Sequence, residues 1–535
     1  MPAEAGAATG AADQPWLTRN DFSPLEPPAL GAWTPTLSVS VVIPAHGEPE
    51  RLALVLASLA GQSYPAHLTE VVVVDDGSPE PLVLPEVRPE NTRLATSAPG
   101  GWGSAHAVNT GVAVSSGEVV LRLDADMLVY REHVESQMRW HHLVDYGVAM
   151  GHKLFVDFVP GALSPEHVYR EVRGGRADTL FDRAEADPHW VERVIDRDDG
   201  LRGADHRAYR VFVGATGSLH RSLFEAAGGM DAGMVLGGDT EFGYRLSQQG
   251  AVFVPDLDTS SWHLGRSQMQ TRRDAGRRFR EPYVANRVPD FQPRRRRPGH
   301  AWEVPFADVV VDADGHTLEE VAATVHGLLD GGTPDIRVWL CGAWSALGEG
   351  RRSPLDEERL DLRLVRETFR GEPRVRFVEG PPEPDPRVPF RLVVPAGAHP
   401  SRTCVERLVT AADTQGAGLL RTPLPGTARA GAGQVRLERH CAFARARRLV
   451  PGAAGAALDD VVDRVYGSHW AAPTGILVEG ADTSADRPTE EELRRDLERA
   501  RAEAERLRAR ARRAERKLRW FTPGLGRRIL RRIVR

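Results

Sequence analysis

The first third of the chain alternates two apolar patterns. LSVSVVIPAHGEP, residues 37–49, opens with a β-branched run and closes on Pro and Gly. That predicts a buried strand running into a loop. RLALVLASLAGQ then places apolar residues at helical spacing, and TEVVVVDDGS returns to a continuous apolar run ending in acids and a glycine turn. SAHAVNTGVAVSSG reads as a helix and EVVLRLDADM as a further strand ending in carboxylates. Strands alternating with helices predict βαβ units and a mostly parallel sheet. In such sheets ligands bind beyond the carboxyl ends of the strands. The loops PAHGEP, DDGS and DADM all lie at such ends and should face one site.

Residues 161–210 carry few strand signals and many charges, which predicts helices and loops inserted over that site. From Val211 a compact pattern resumes through GGMDAGMVLGGDTEFGYRLSQQG to SSWHLG. The first domain is therefore expected over 36–290, behind a flexible tail at 1–35 and ahead of a basic linker at 291–300. A second, smaller α/β domain of similar build is expected over 301–478. FADVVVDADGHTLEEVAATVHGLLDGGTPDIRVWLCGAWS repeats the strand–loop–helix–strand order of the opening, and FRLVVPAGAHPSRTCVERLV parallels VLRLDADMLVYREHVESQM. At the matching positions CGAWS replaces DDGS and PAGA replaces DADM, so this domain reads as one that has lost its acids.

Leu497, Ala500, Ala504, Leu507, Ala511, Ala514, Leu518 and Phe521 alternate spacings of three and four, a heptad seam within 485–521. With Ala at half of these positions the seam is thin, and homo-oligomerisation, intramolecular packing and a solvated single helix all remain open. The tail 522–535 sets Leu525, Ile529 and Ile533 on one face among arginines, the pattern of a basic helix on an anionic membrane surface. A frayed basic terminus is the alternative.

Composition narrows the class. At ~150 residues per domain, 535 residues allow two or three domains, and 41% hydrophobic with 27% charged residues is ordinary for a water-soluble protein. A net charge of -5 gives no reason to expect nucleic acid as a partner. Cys341, Cys404 and Cys441 are odd in number and lack CxxC spacing, which argues against disulfides or structural zinc and fits a reducing cytoplasm. No secretory signal and no membrane-spanning stretch is expected, leaving a cytoplasmic protein with peripheral contact at the inner membrane face as an option.

Asp124 and Asp126, spaced i, i+2 at a strand end, suit a hard divalent ion that bridges diphosphate oxygens. The spacing alone decides little. It recurs at Asp196/Asp198, Asp256/Asp258 and Asp312/Asp314, which are expected as surface or loop acids. Order and context carry the weight. VSVVIPAHGE, VVVVDDGS, SAHAVNTG and LDAD together resemble the family-2 glycosyltransferases of the GT-A fold, a Rossmann-like and mostly parallel α/β architecture, over about residues 39–265. The resemblance implies a nucleotide-sugar donor, a glycan or lipid-linked acceptor, and Mn²⁺ or Mg²⁺ as cofactor. It places Pro44, Ala45 and Glu48 against the nucleoside, Asp75 and Asp76 at the base, and Asn109 and Asp124 at the donor. His46-Gly47 and Val108 depart from the family pattern, which leaves the bound base open.

By the same resemblance Asp239 is the general base of an inverting transfer. Gly237 and Gly238 allow close substrate approach, and Glu241 stands as a second acid at the substrate. His263, in SSWHLG, matches a third metal ligand beside Asp124 and Asp126, and imidazole in that set favours Mn²⁺. Trp102 is either a nucleoside or sugar contact or a core anchor. Two other functions stay open: a nucleotidyltransferase, although PAHGEP lacks the cation such phosphate loops carry, and a non-catalytic scaffold retaining a transferase fold.

Overall fold

The computed structural model describes residues 14–290, 300–351, 353–424 and 433–478. In chain order the strands up to residue 264 are β1 (Val39–Ala45), β2 (Thr69–Asp75), β3 (Thr92–Thr96), β4 (Val119–Leu123), β5 (Met127–Val129), β6 (Gly147–Gly151), β7 (Leu154–Val156), β8 (Asp187–Pro188), β9 (Thr216–His220), β10 (Val252–Asp256) and β11 (Ser261–Leu264). Seven form a sheet in the order β10-β6-β9-β4-β1-β2-β3, and four form a smaller one, β5-β11-β7-β8.

β1 explains why these runs read as continuously apolar. Val39, Val41 and Ile43 pack with Leu52, Val55, Leu56 and Leu59 of the helix Pro49–Ala60. Val42, on the opposite face, packs with Ala105, Val108 and Val112 of the helix Ser104–Val114. A strand covered on both faces has no polar side to show. Its register, Val39 to both Thr69 and Val119, aligns the ends of β1, β2 and β4 along one edge. The small sheet adds the decisive neighbour. Antiparallel pairing of β11 with β5 sets His263 opposite Met127, one residue beyond Asp126.

The second large sheet comprises β12 (Ala307–Asp312), β13 (Ile336–Cys341), β14 (Val375–Val378), β15 (Phe390–Val393), β16 (Leu419–Pro423), β17 (Gln434–Arg439) and β18 (Ser468–Trp470). Read from the β18 edge, its order is β18-β16-β17-β15-β12-β13-β14. Each strand has a counterpart by chain rank in the first sheet. β17 runs antiparallel to β15 and β16, as β9 does to β4 and β6, and the other pairings in both sheets are parallel. The segment 161–210 contributes the helices Pro165–Arg173 and Trp190–Arg197 and the 3₁₀ stretch Asp205–Val211, with only the two-residue β8 as strand.

Two expectations change. Residues 14–35 are not a loose tail: Leu17, Phe22 and Leu25 are buried in one cluster with Tyr146 and Val252 of the first sheet's domain and Phe443, Ala446 and Val462 of the second's. Their wide spacing, LTRNDFSPLEPPAL, hides them from any periodicity test. Asp256, expected at the surface, is 1% exposed at the end of β10, with Arg139 3.8 Å away. The shared cluster also couples the regions of the two large sheets. Arg445, 1% exposed, donates to the carbonyls of Gly250 (2.7 Å), Ala251 (3.1 Å), Leu17 (3.2 Å) and Arg19, so one guanidinium joins three segments.

The heptad seam of 485–521 and the basic stretch 522–535 lie outside the described residues, as do 1–13 and 291–299 of the expected tail and linker. Among the described residues no helix is long and apolar enough to cross a membrane.

Candidate active site

The ends of β1 and β2 form one wall. Ala45 pairs with Asp75 in the ladder, and Pro44 precedes it, half-buried. The loops are tied to each other: the Gly47 N–H donates to Ser78 Oγ (2.8 Å), and His46 Nδ1 lies 3.2 Å from the Asp76 carbonyl. Glu48, exposed, takes φ 56° where the chain turns into the helix Pro49–Ala60, and its carboxylate stands 3.4 Å from Arg51 Nε. Asp75 accepts the N–H groups of Ser78 (2.8 Å) and Leu82 (3.0 Å). Burial works to raise its carboxyl, but these hydrogen bonds outweigh it and hold the group below the usual range. Asp76 accepts from Ser97 Oγ and the Gly103 N–H, both at 2.6 Å, which holds the loop bearing Trp102. Trp102 is 65% exposed, so it is no core anchor.

Asp124 and Asp126 follow β4, with 32% and 29% of their side chains exposed. Burial pushes both carboxyls above the usual range, against the pull of Arg122 on Asp124 and of Arg51 on Asp126. His263 Nδ1 lies 3.0 Å from the Gly265 carbonyl. A carbonyl only accepts, so Nδ1 carries the hydrogen and Nε2 presents its lone pair. That Nε2 faces Asp126 Oδ1 at 3.7 Å, and burial takes His263 down to about 4, keeping the ring neutral. Asp126 Oδ1 is itself buried without a hydrogen-bond partner. A neutral imidazole nitrogen facing an unsatisfied carboxylate oxygen is a donor set that fits a divalent cation. Among the described residues, however, no three His, Cys, Asp or Glu side chains surround one cation position. Asp124 is engaged elsewhere: its Oδ1 lies 3.2 Å from the Arg122 guanidinium.

Gly237 begins the next wall. Its φ of 91° suits glycine, and it precedes the helix Gly238–Gln248. A side chain at Gly237 would press on Val284 and Arg280, whereas one at Gly238 would meet only ordinary contacts. Asp239, in the first turn, is 36% exposed and pairs with Arg122 Nη1. The structure thus brings Asp124, Asp126, Asp239 and His263 into one neighbourhood.

Two expected site residues have other tasks. Glu241 is 4% exposed and grips Arg245 through both oxygens (2.5 and 2.7 Å), and Arg245 in turn holds the carbonyls of Ala227 and Gly229. Asn109 exchanges two hydrogen bonds with the backbone of Met230, at 2.7 and 2.9 Å. Through these bonds both side chains help fix the GGMD loop.

Sequence reasoning missed two cations. Arg122 is 8% exposed at the centre of the acid cluster, and the one signal for it was a charge inside the apolar run VVLRL. Lys153 is 3% exposed, and burial lowers its ammonium against the pull of Glu192, Asp124 and Asp239. GHKLF offered no comparable signal.

Asp124, Asp126 and Asp239 gather at the carboxyl edge of the first sheet, where α/β folds bind their ligands. Residues 40–183 match the family described as Glycosyl transferase family 2. It is similar to chondroitin synthase from Escherichia coli, 23% identical over 362 residues, covering 64% of this chain and 50% of that one. It is also similar to hyaluronan synthase from Pasteurella multocida, at 22% over 365 residues, 64% and 36%. An undecaprenyl-phosphate 4-deoxy-4-formamido-L-arabinose transferase from Pectobacterium carotovorum is 30% identical over 199 residues, 35% and 54%. The chain thus spans about half the length of these relatives or less. Among solved structures it matches a mannosyltransferase from Pyrobaculum calidifontis in complex with GDP-Man and Mn²⁺, at TM-score 0.32 and 20% identity over 50% of this chain and 65% of that one.

Proposed function

We propose that the chain is an inverting glycosyltransferase that moves a sugar from a nucleotide-diphosphate sugar to a hydroxyl of a glycan or lipid-linked acceptor. One observation carries the reading: Asp239 and Asp124, 115 residues apart in sequence, meet at a single guanidinium beside Asp126 and His263. The names of the relatives, a chondroitin synthase, a hyaluronan synthase and an undecaprenyl-phosphate 4-deoxy-4-formamido-L-arabinose transferase, support the acceptor class.

In this reading Pro44, Ala45 and the paired loops of Asp75 and Asp76 shape the nucleoside wall. Asp124, Asp126 and His263 would hold Mn²⁺ or Mg²⁺, which when bound neutralises the diphosphate leaving group. Asp239 takes the acceptor hydroxyl's proton as its oxygen bonds to the anomeric carbon. The bond from that carbon to the phosphate oxygen breaks on the opposite face, and the nucleoside diphosphate leaves. The exposed Trp102, on the loop that Asp76 holds, offers an apolar face to the donor.

A thermal-shift screen of UDP-, GDP- and dTDP-sugars with and without Mn²⁺ tests this. Binding to the folded state raises the melting temperature with ligand concentration. A Mn²⁺-dependent rise with one nucleotide class is expected, and no rise with any would remove the donor assignment.

A further inference from the structure

Arg122 stands where no charged side chain was expected. It lies within β4, its guanidinium buried between the carboxylates of Asp124 and Asp239. Nη1 pairs with Asp239, while Nη2 reaches Asp124 Oδ1 at 3.2 Å and Ser104 Oγ at 2.9 Å. The fold has made room for it: a methyl group at Gly214 would overlap the guanidinium. Ladder register gives a comparison inside the same chain. With Ala307 matched to Val39, since each opens both ladders of its strand, Val393 of β15 stands where Arg122 does. The domain without the acids also lacks the arginine.

We propose that Arg122 is a positioning residue that ties Asp124 to Asp239 and competes with the divalent cation for Asp124. The inference rests on the transferase reading for the roles of the two acids, but its electrostatic half stands on the geometry alone. A guanidinium against Asp124 Oδ1 occupies an oxygen the cation needs, and its charge opposes a second cation among the same carboxylates. The planar fork, with one arm to each acid, fixes the base relative to the metal carboxylate as a single ammonium cannot. Asp126 and His263 already face each other, whereas Asp124 is the ligand held back by Arg122.

The test uses the full chain and two substitutions, Arg122→Met and Arg122→Lys, with circular dichroism to confirm folding. Mn²⁺ binding is titrated without nucleotide by calorimetry and by the EPR signal of the free ion. Arg122→Met should bind Mn²⁺ about threefold tighter or more, because the competing charge is gone, while kcat falls about 100-fold with little change in donor KM. A merely structural role would weaken both. Arg122→Lys keeps the charge but not the fork, so Mn²⁺ affinity should stay near that of the unaltered protein while kcat falls about tenfold. Unchanged or weaker Mn²⁺ binding by folded Arg122→Met overturns the competition. Undiminished kcat in Arg122→Lys overturns the bridge, and decides it even where Arg122→Met does not fold. If the unaltered protein transfers no sugar, the transferase reading fails separately, and the Mn²⁺ titrations still judge the competition.

Discussion

The two seven-stranded sheets share one strand order and one pattern of directions, yet their carboxyl edges differ. By ladder register, Pro395 and Gly397 stand where Asp124 and Asp126 stand, and Gly342 stands where Asp75 does. Each sheet domain keeps an apolar core built of the same kinds of residue. Two sheets of one topology in a single chain thus carry different residues at their carboxyl ends, since packing constrains the strands while loop side chains at their ends are free to change. Two acids do stand at the second edge and bond to backbone: Asp312 accepts the Asp314 N–H at 3.1 Å, and Asp314 accepts the Ala343 N–H at 3.0 Å, which ties two loops together.

The contrast is most exposed at Asp239. Asp239→Asn should lower kcat by about a thousandfold, as expected for loss of a general base, while the donor-induced thermal shift persists. Robust turnover would move the base elsewhere. Asp126→Asn should abolish Mn²⁺-stimulated donor binding. The reciprocal change in the second domain, Pro395→Asp with Gly397→Asp, should create no Mn²⁺ site by calorimetry, because it supplies neither a counterpart of His263 nor its β5–β11 pairing. Tight binding there would show that the acids alone distinguish the two edges.

The coupling between the domains comes next in size. Arg445→Met leaves the carbonyls of Gly250, Ala251 and Leu17 without their donor in a buried setting and should cost about 4 kcal/mol in denaturant unfolding. A loss below ~1 kcal/mol would mean that the apolar cluster alone joins the domains.

The smallest effect concerns acid. Burial takes His133, 0% exposed and bonded to Thr216 Oγ1 at 2.8 Å, from 6.5 to about 4. The unfolded chain binds this proton more readily than the folded one. The stability is therefore present above pH 6.5 and is lost as pH falls toward 4, by up to about 3 kcal/mol. Denaturant melts at pH 7 and pH 4.5 should show His133→Gln losing less over that interval than the unaltered protein, and equal losses would acquit this residue.

Much of the first domain could be read directly. β1 and β2 are near-continuous apolar runs because both faces are covered, and each stops at the loops of the candidate site. Glu241 was legible in principle as well, since Arg245 lies four residues on along one helix, the spacing of an ion pair. Family expectation placed Glu241 at the substrate, and the helix geometry gave it to Arg245. The buried role of Leu17, Phe22 and Leu25 was not legible, because their partners lie more than 100 residues away.

By itself the sequence determined β1, β2 and β4 and their parallels β12, β13 and β15 as strands, and which acids stand on the loops after them, because these follow from local apolar patterns and chain order. The tertiary structure decided what each polar group touches. Asn109 turned to Met230, Asp124 to Arg122 and His263 to Asp126 through pairings across the sheet edge. A buried polar group must find its partner in space, and no local pattern encodes which one it finds.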